Sequence, residues 1–246
     1  MFSFFKKKKE SFIKEIAVDM HSHLLPGIDD GAKSKEDSLA LIKKMQDLSY
    51  HKLIVTPHIM QDSYPNTKEI IYKTLETLKL FLEENSIDIK IEAAAEHYLD
   101  EAFLENLETD RVLPLAKEYL LFETSYIARP LNLEDLIYEI SVKGYKPIFA
   151  HPERYRYIKD LESEYKALKD LGVYFQVNLN SLNGYYGKEA QKKALFLLEN
   201  GLIDFLGSDT HHQRHLENLE KIAFDKDIWN KINARNKILN KTLLEG

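Results

Sequence analysis

The sequence predicts an α/β fold, a (β/α) barrel of seven parallel strands in a single domain. Three observations carry that reading. Short apolar runs alternate with amphipathic helical stretches, the pattern of parallel β/α units with right-handed crossovers. Six of the seven predicted strands end in a histidine or a carboxylate, and in a closed parallel barrel such ends meet on one rim. The chain shows no linker, low-complexity segment or clear repeat in its 246 residues. Residues 16–246 therefore read as one domain, preceded by a lysine-rich extension, residues 1–15.

The first strand, Ile16 to His21, runs into His21-Ser22-His23, and Pro26-Gly27 and Asp29-Asp30-Gly31 turn the chain just beyond. Ser34 then caps a helix with acids in its first turn and Leu41, Ile42 and Met45 on its apolar side. Lys52 to Thr56 is the second strand and delivers Pro57-His58. Asn66 to Glu84 is a long amphipathic helix, with Ile70, Ile71, Leu75, Leu78 and Leu82 at helical spacing. Asp88 to Ala95 is the third strand, ending at Glu96, with a short helix over Glu101 to Leu107. Tyr119 to Phe122 is the fourth, ending at Glu123, and a helix from Leu133 to Lys143 stops at Gly144.

Pro147 to Ala150 is the fifth strand and delivers His151-Pro152-Glu153-Arg154; a helix over Tyr155 to Leu171 follows. Val173 to Val177 is the sixth, with Asn178 and Asn180 beyond it and a helix over Lys188 to Asn200. Asp204 to Gly207 is the seventh and delivers Ser208-Asp209-Thr210-His211. Two helices, Leu216 to Ala223 and Ile228 to Leu243, close the chain.

Composition narrows the function. A net charge of −6 argues against a nucleic-acid platform. The absence of cysteine removes disulfides, thiolate zinc sites and a thiol nucleophile. No apolar run approaches the roughly 18 residues of a membrane span. The N-terminal aromatics and lysines (Lys6 to Lys9) are too few and misordered for a secretory signal. A cytoplasmic protein is expected, with at most weak membrane-surface contact through those lysines.

The strand ends carry the chemistry. His21 and His23, two apart on an extended strand, face the same side. With His58, Glu96, Glu123, His151, Asp209 and His211 they give five imidazoles and three carboxylates on one rim, and Asp30 is a plausible ninth group. Few lysines or arginines lie among them, so uncompensated carboxylates would repel one another. Divalent ions resolve this, and a nitrogen and oxygen ligand set without sulfur suits manganese, iron or zinc. Arg154 and Arg214, each three residues after a rim histidine, are the candidates to meet phosphate oxygens. Arg129 is a weaker one. His51, His97, His212 and His215 lack the strand-end position, and the His97 side chain is expected to point away from the cluster.

His21-Ser22-His23, Thr56-Pro57-His58, Glu96, His151-Pro152-Glu153-Arg154 and Ser208-Asp209-Thr210-His211 resemble the polymerase-and-histidinol-phosphatase (PHP) superfamily. The stretch from Asp19 through Leu24-Leu25-Pro26-Gly27-Ile28-Asp29-Asp30-Gly31-Ala32 is similar to the metal-dependent tyrosine phosphatases of bacterial capsular and exopolysaccharide loci. The resemblance spans about residues 17 to 223. It implies a distorted seven-stranded barrel and a trinuclear, commonly manganese-dependent centre. It places His21, His23, Glu96 and Asp209 on one ion, Glu96, Glu123 and His151 on a second, and Asp30, His58 and His211 on a third. Arg154 matches the family arginine, and Arg214 the second one less closely.

The function implied is hydrolysis of phosphotyrosine on a protein, a bacterial tyrosine kinase regulating polysaccharide synthesis, by direct attack of metal-bound hydroxide. The alternative is a phosphoesterase for a small monoester such as histidinol phosphate. Tyr64, Tyr98, Tyr126, Tyr155, Tyr185 and Tyr186 offer rings to stack an aryl phosphate on, which leans toward the first.

Overall fold

A computed structural model describes residues 11–244. Nine parallel strands form two sheets: β1 (Val18–Asp19), β2 (Lys52–Val55) and β4 (Lys90–Ala93) in one, and β3 (His58–Ile59), β5 (Glu96–Tyr98), β6 (Tyr119–Glu123), β7 (Lys146–Ala150), β8 (Tyr174–Asn178) and β9 (Phe205–Gly207) in the other. The seven expected strand positions are all occupied, but the second and third each split into two. Pro57 has no amide hydrogen and interrupts the second. In the third, the Ala95 amide turns aside to the carbonyl of Leu113. Pairing continues across the breaks through Ala94 N to Val55 O, 2.9 Å, and Glu96 N to Pro57 O, 3.1 Å.

The chain after β1 meets the chain after β9. Ser22 and Thr210 form a parallel bridge, Asp209 N donates to His21 O at 2.8 Å, and His23 N donates to Thr210 O at 2.9 Å.

Both faces of the strands are buried, as parallel sheets covered by helices require. One face contributes Val18, Met20, Ile54, Leu121, Ile148, Ala150 and Phe205 to an inner cluster. Their neighbours in sequence, Leu53, Val55, Leu120, Phe122, Phe149, Phe175 and Leu206, pack outward against the helices. Leu243 belongs to the inner cluster, and Asn240 beside it donates to Val18 O and Leu206 O and accepts from Leu206 N. Lys52 is buried there too, donating to Leu243 O at 2.6 Å and lying 2.8 Å from Glu92. The C-terminal turn thus seals the end of the strands remote from the histidines.

Helix starts follow their caps: Ser34 accepts from Asp37 N, Thr67 from Ile70 N, and Asp160 from Ser163 N. Two helices are shorter than expected. The one predicted from Tyr155 begins at Leu161, because Asp160 is its cap and residues 155–159 lead out of the site. The one predicted to reach Leu243 ends at Arg235. There the Asn236 side chain captures Ile203 N and donates to Leu198 O, which draws the chain out of helix. Most of the expected N-terminal extension lies outside the described residues. Its last part is folded: Ile13 to Ile16 is helical, Phe12 and Ile13 are buried, and Phe12 stacks on Trp229 at 5.3 Å. No described helix is long and apolar enough to cross a membrane.

Candidate metal centre

Each strand end delivers its side chain to one concavity. His21 and His23 alternate with Ser22 on extended backbone, so both rings face inward, with their Nε2 atoms 3.3 Å apart. His58 opens β3 and Glu96 opens β5, direct register partners. Glu123 ends β6, one pleat along, opposite Tyr98. His151 and Asp209 follow β7 and β9 with φ of 35° and 49°. A non-glycine residue in that region costs on the order of 1–3 kcal/mol; among the eight such residues described, these two are the candidate ligands.

Glu96 sits at the middle. Its Oε2 is 3.2 Å from His21 Nε2, 3.4 Å from His23 Nε2 and 3.2 Å from His58 Nδ1, and its Oε1 is 2.9 Å from His151 Nε2. Asp209 Oδ1 lies 3.6 Å from the Nε2 of both His21 and His23. Glu123 is 3.0 Å from His58 Nδ1 and 3.9 Å from His151 Nε2. Asp30 Oδ1 is 3.5 Å from His58 Nε2 and 3.4 Å from His211 Nε2.

All nine expected groups are therefore together. Three subsets are compact enough to share an ion: His21, His23 and Glu96; His58, Glu96 and Glu123; and His23, Asp30, His58 and His211. His23, His58 and Glu96 each belong to two of them, and Glu96, whose two oxygens face different imidazoles, is the one placed to bridge.

The donor set fits divalent cations on the structure's own geometry. Donors about 2.0–2.1 Å from a common tetrahedral ion are about 3.4 Å apart, and the four distances from His21 and His23 to the Glu96 and Asp209 carboxylates run from 3.2 to 3.6 Å. His58 Nδ1 and His151 Nδ1 are buried without a hydrogen-bond partner among the described residues. For His58 this holds although two carboxylates flank that atom.

Charge agrees with the geometry. Burial works against ionising Glu96, yet the imidazoles of His21 and His58 hold its carboxyl well below the usual range. Asp209 is held down in the same way by His211, His21 and Arg154. His23 moves in the opposite sense: burial disfavours its cation, but the Asp29 carboxylate wins and pushes it up to about 10. Protonated imidazoles and ionised carboxylates thus balance one another in the cluster, a balance that bound cations would supply in place of the imidazole protons.

A second layer fixes the ligands. Asp29 Oδ2 accepts from His23 Nδ1 at 2.8 Å, and Gln176 Oε1 accepts from His21 Nδ1 at 2.7 Å. Both rings thereby turn a bare Nε2 to the cluster. Gln176 Nε2 donates to Asn178 Oδ1, and Asn178 Nδ2 donates to Asp209 Oδ2 at 2.7 Å. Glu153, pushed up by burial, accepts from Ser181 Oγ and Asn178 N behind the site. His215 Nδ1 accepts from His211 N and is itself buried.

Asp29 and Gln176 were not singled out from sequence, whereas His215, set apart there for lacking the strand-end position, is buried against the His211 amide. Asp29 had a signal, the doubled acid before Gly31. Gln176 had none, its partner lying 155 positions away.

The two arginines part company. Arg154 lines the cavity, pairs with Asp209 and lies between the rings of Tyr126 and Tyr186. Arg214 is exposed at the start of the helix Gln213–Ala223 and is not among the lining residues. Arg129 pairs with Glu134, outside the cavity. Of the tyrosines, Tyr64, Tyr98, Tyr126 and Tyr186 line it, whereas Tyr155 is buried behind it and Tyr185 is not part of the lining. His97 turns away as expected: Nδ1 donates to Leu121 O, and Nε2 accepts from Leu113 N, each at 3.0 Å. The cavity holds ≈ 550 Å³, room for an aryl phosphate side chain.

Fold and site together define a parallel α/β protein with a cluster of His, Asp and Glu side chains that could hold metal ions at one end of its strands. The sequence model described as "Capsular polysaccharide synthesis, CpsB/CapC" matches residues 17–225, and the chain belongs to that family. It is 31% identical over 196 residues to the tyrosine-protein phosphatase YwqE of Bacillus subtilis, covering 79% of this chain and 77% of the relative. A structural match described as YwqE from Bacillus subtilis and CpsB from Streptococcus pneumoniae, unique metal-dependent tyrosine phosphatases, superposes with a TM-score of 0.82 at 27% identity, covering 93% and 94% of the two chains. A lactonase from Listeria monocytogenes shares the fold at a TM-score of 0.52 and 12% identity, covering 96% of this chain and 92% of that one.

Proposed function

We propose that the chain is a metal-dependent protein-tyrosine phosphatase, acting on phosphotyrosine of a bacterial tyrosine kinase that regulates capsular or exopolysaccharide synthesis in the cytoplasm. The observation that carries the reading is Glu96 shared between two ligand groups beneath an aromatic-lined cavity. The names of the relatives favour it over a small monoester such as histidinol phosphate. Residues 16–246 act as one catalytic domain, with the hydrogen bonds between residues 21–23 and 209–210 closing a distorted barrel.

His21, His23, Glu96 and Asp209 would hold one ion, Glu96, Glu123 and His151 a second, and Asp30, His58 and His211 a third. Manganese is the proposed metal, with iron or zinc as alternatives. Bound ions supply an activated water and neutralise phosphoryl oxygens. The chain does the rest. Tyr126, Tyr186 and Tyr98 flank the aryl ring, Asp29 and Gln176 hold the His23 and His21 rings, and Arg154 presents its remaining N–H groups to the phosphoryl oxygens. Without cysteine there is no thiol to take the phosphoryl group, so water attacks phosphorus directly and a phenolate leaves. Its ordinary pKa near 10 asks little of an acid.

The test is phosphate release from a phosphotyrosyl peptide with manganese supplied, against phosphoserine and phosphothreonine peptides and histidinol phosphate. Preference for histidinol phosphate would overturn the reading.

A further inference from the structure

A second concavity of ≈ 340 Å³ opens beside the catalytic one and shares four lining residues with it, Tyr126, Ile127, Arg154 and Tyr186. Arg156 and Ala190 complete its lining. Arg154 therefore stands on the wall between the two spaces. Tyr155 is fully buried behind that wall, and Arg156, the next residue, is exposed.

The Arg156 backbone is fixed: its N–H donates to Tyr126 O at 2.7 Å, tying it to the loop that lines both spaces. Its guanidinium has no hydrogen bond or ion pair among the described residues. Of the other exposed arginines, Arg111 pairs with Glu105 and Arg235 donates to Glu199 O, while Arg214, which lines neither space, is likewise unpaired among the described residues. Lys159, Lys192 and Glu189 line a separate hollow of mixed charge, so Arg154 and Arg156 are the charged groups of this concavity. Ile127, 73% exposed, forms its apolar edge.

A protein substrate differs from a small phosphate ester in having chain on both sides of the phosphorylated residue. At about 3.3 Å per extended residue, the first few neighbours leave the catalytic cavity over its rim. We propose that the concavity around Arg156 is a substrate subsite that receives an acidic side chain flanking the phosphotyrosine. Arg156 is then a specificity-determining residue that meets the flanking carboxylate, not the phosphoryl group. The inference rests on the phosphotyrosine reading above. A guanidinium with no partner of its own has its N–H groups free to offer a flanking carboxylate a two-pronged hydrogen bond.

The experiment uses the full chain with manganese and phosphotyrosyl peptides carrying Glu, Gln or Lys at each position from three before to three after the phosphotyrosine. For the wild type, Glu at one or more positions on one side should raise kcat/KM about fivefold over Gln. The change should fall mainly in KM and shrink with added salt. Arg156→Ala should erase the preference and Arg156→Glu should turn it toward Lys. Both variants should hydrolyse p-nitrophenyl phosphate at the wild-type rate. A wild type indifferent to flanking charge, or a preference that survives Arg156→Ala, overturns the subsite while leaving the phosphatase reading standing. Failure of the wild type on every phosphotyrosyl peptide overturns both.

Discussion

Arg154 is locked onto Asp209: Nη1 is 2.9 Å from Oδ2, and the guanidinium carbon sits 4.6 and 4.4 Å from the ring centres of Tyr126 and Tyr186. Asn178 donates to the same Oδ2, which leaves Oδ1 for His21 and His23. One carboxylate thus ties the arginine to the ligand cluster. A preorganised donor of this kind is worth on the order of 10²–10³ in turnover. Arg154→Ala should keep its fold and metals and lose turnover of that order, with kcat falling more than KM changes. Arg154→Lys should rescue little, since an ammonium cannot reproduce the fork. Kinetics and metal content on the same samples check this. Normal turnover would return attention to Arg214.

Glu96→Gln should lower both bound metal and turnover, because Glu96 belongs to two ligand groups. His97→Gln, one residue away but facing Leu113 and Leu121, should keep its metals and most of its turnover. Metal analysis of the two variants side by side is the measurement. Equal metal loss would mean the side-chain directions are reversed.

His97 predicts a pH dependence of stability. Burial lowers it from 6.5 to about 4 in the folded protein. A depressed folded pKa contributes stability that is complete above about pH 6.5 and is lost as pH falls through about 4. The full span is on the order of 3 kcal/mol. Asp19, raised by burial to about 6, works in the opposite sense, so the wild-type curve alone is ambiguous. The difference in unfolding free energy between wild type and His97→Gln isolates the effect. It should be largest above pH 6.5 and shrink toward pH 4; a difference independent of pH would contradict it.

Gly31→Ala should disable the site. A Cβ there would lie 2.0 Å from His23 O and 2.5 Å from His23 Cβ, so the turn or the ligand must move. Gly144→Ala is the control. It carries the strain of a φ of +88° but meets nothing within 4 Å. Metal content should fall in the first variant and hold in the second.

Chelation should abolish activity and lower the thermal midpoint, and manganese should restore both, since the ligands bind the ion only when folded together. Full activity in metal-free protein would remove the mechanism.

The ligands were legible because each follows a strand in sequence and parallel topology brings strand ends together. His21, His58, His151 and Asp209 needed no knowledge of pairing. Gln176 and Asn178 did, because an amide in a strand becomes a positioning group only when the neighbouring strand's ligand is known. The break in the third strand was hidden as well, since Ala94 and Ala95 carry no local signal for it, whereas Pro57 marked the break in the second. Arg214 had the right spacing after a histidine, but the helix beginning at Gln213 carries it away from the cavity.

The amide chain from Asp209 through Asn178 and Gln176 to His21 has a further consequence, for how substitutions combine. Each link sets the orientation of the next, so the bare nitrogen of His21 depends on a carboxylate that reaches it through two amides. Removing Asp209 takes away the acceptor that orients Asn178 and weakens the hold on the Gln176 amide, whose oxygen then keeps only the His151 N–H beside His21. Part of the loss from removing Asp209 is therefore already a loss of His21. In a double-mutant cycle the two should fall short of additivity, and a Gln176 variant should reproduce much of that coupling while leaving every ligand in place.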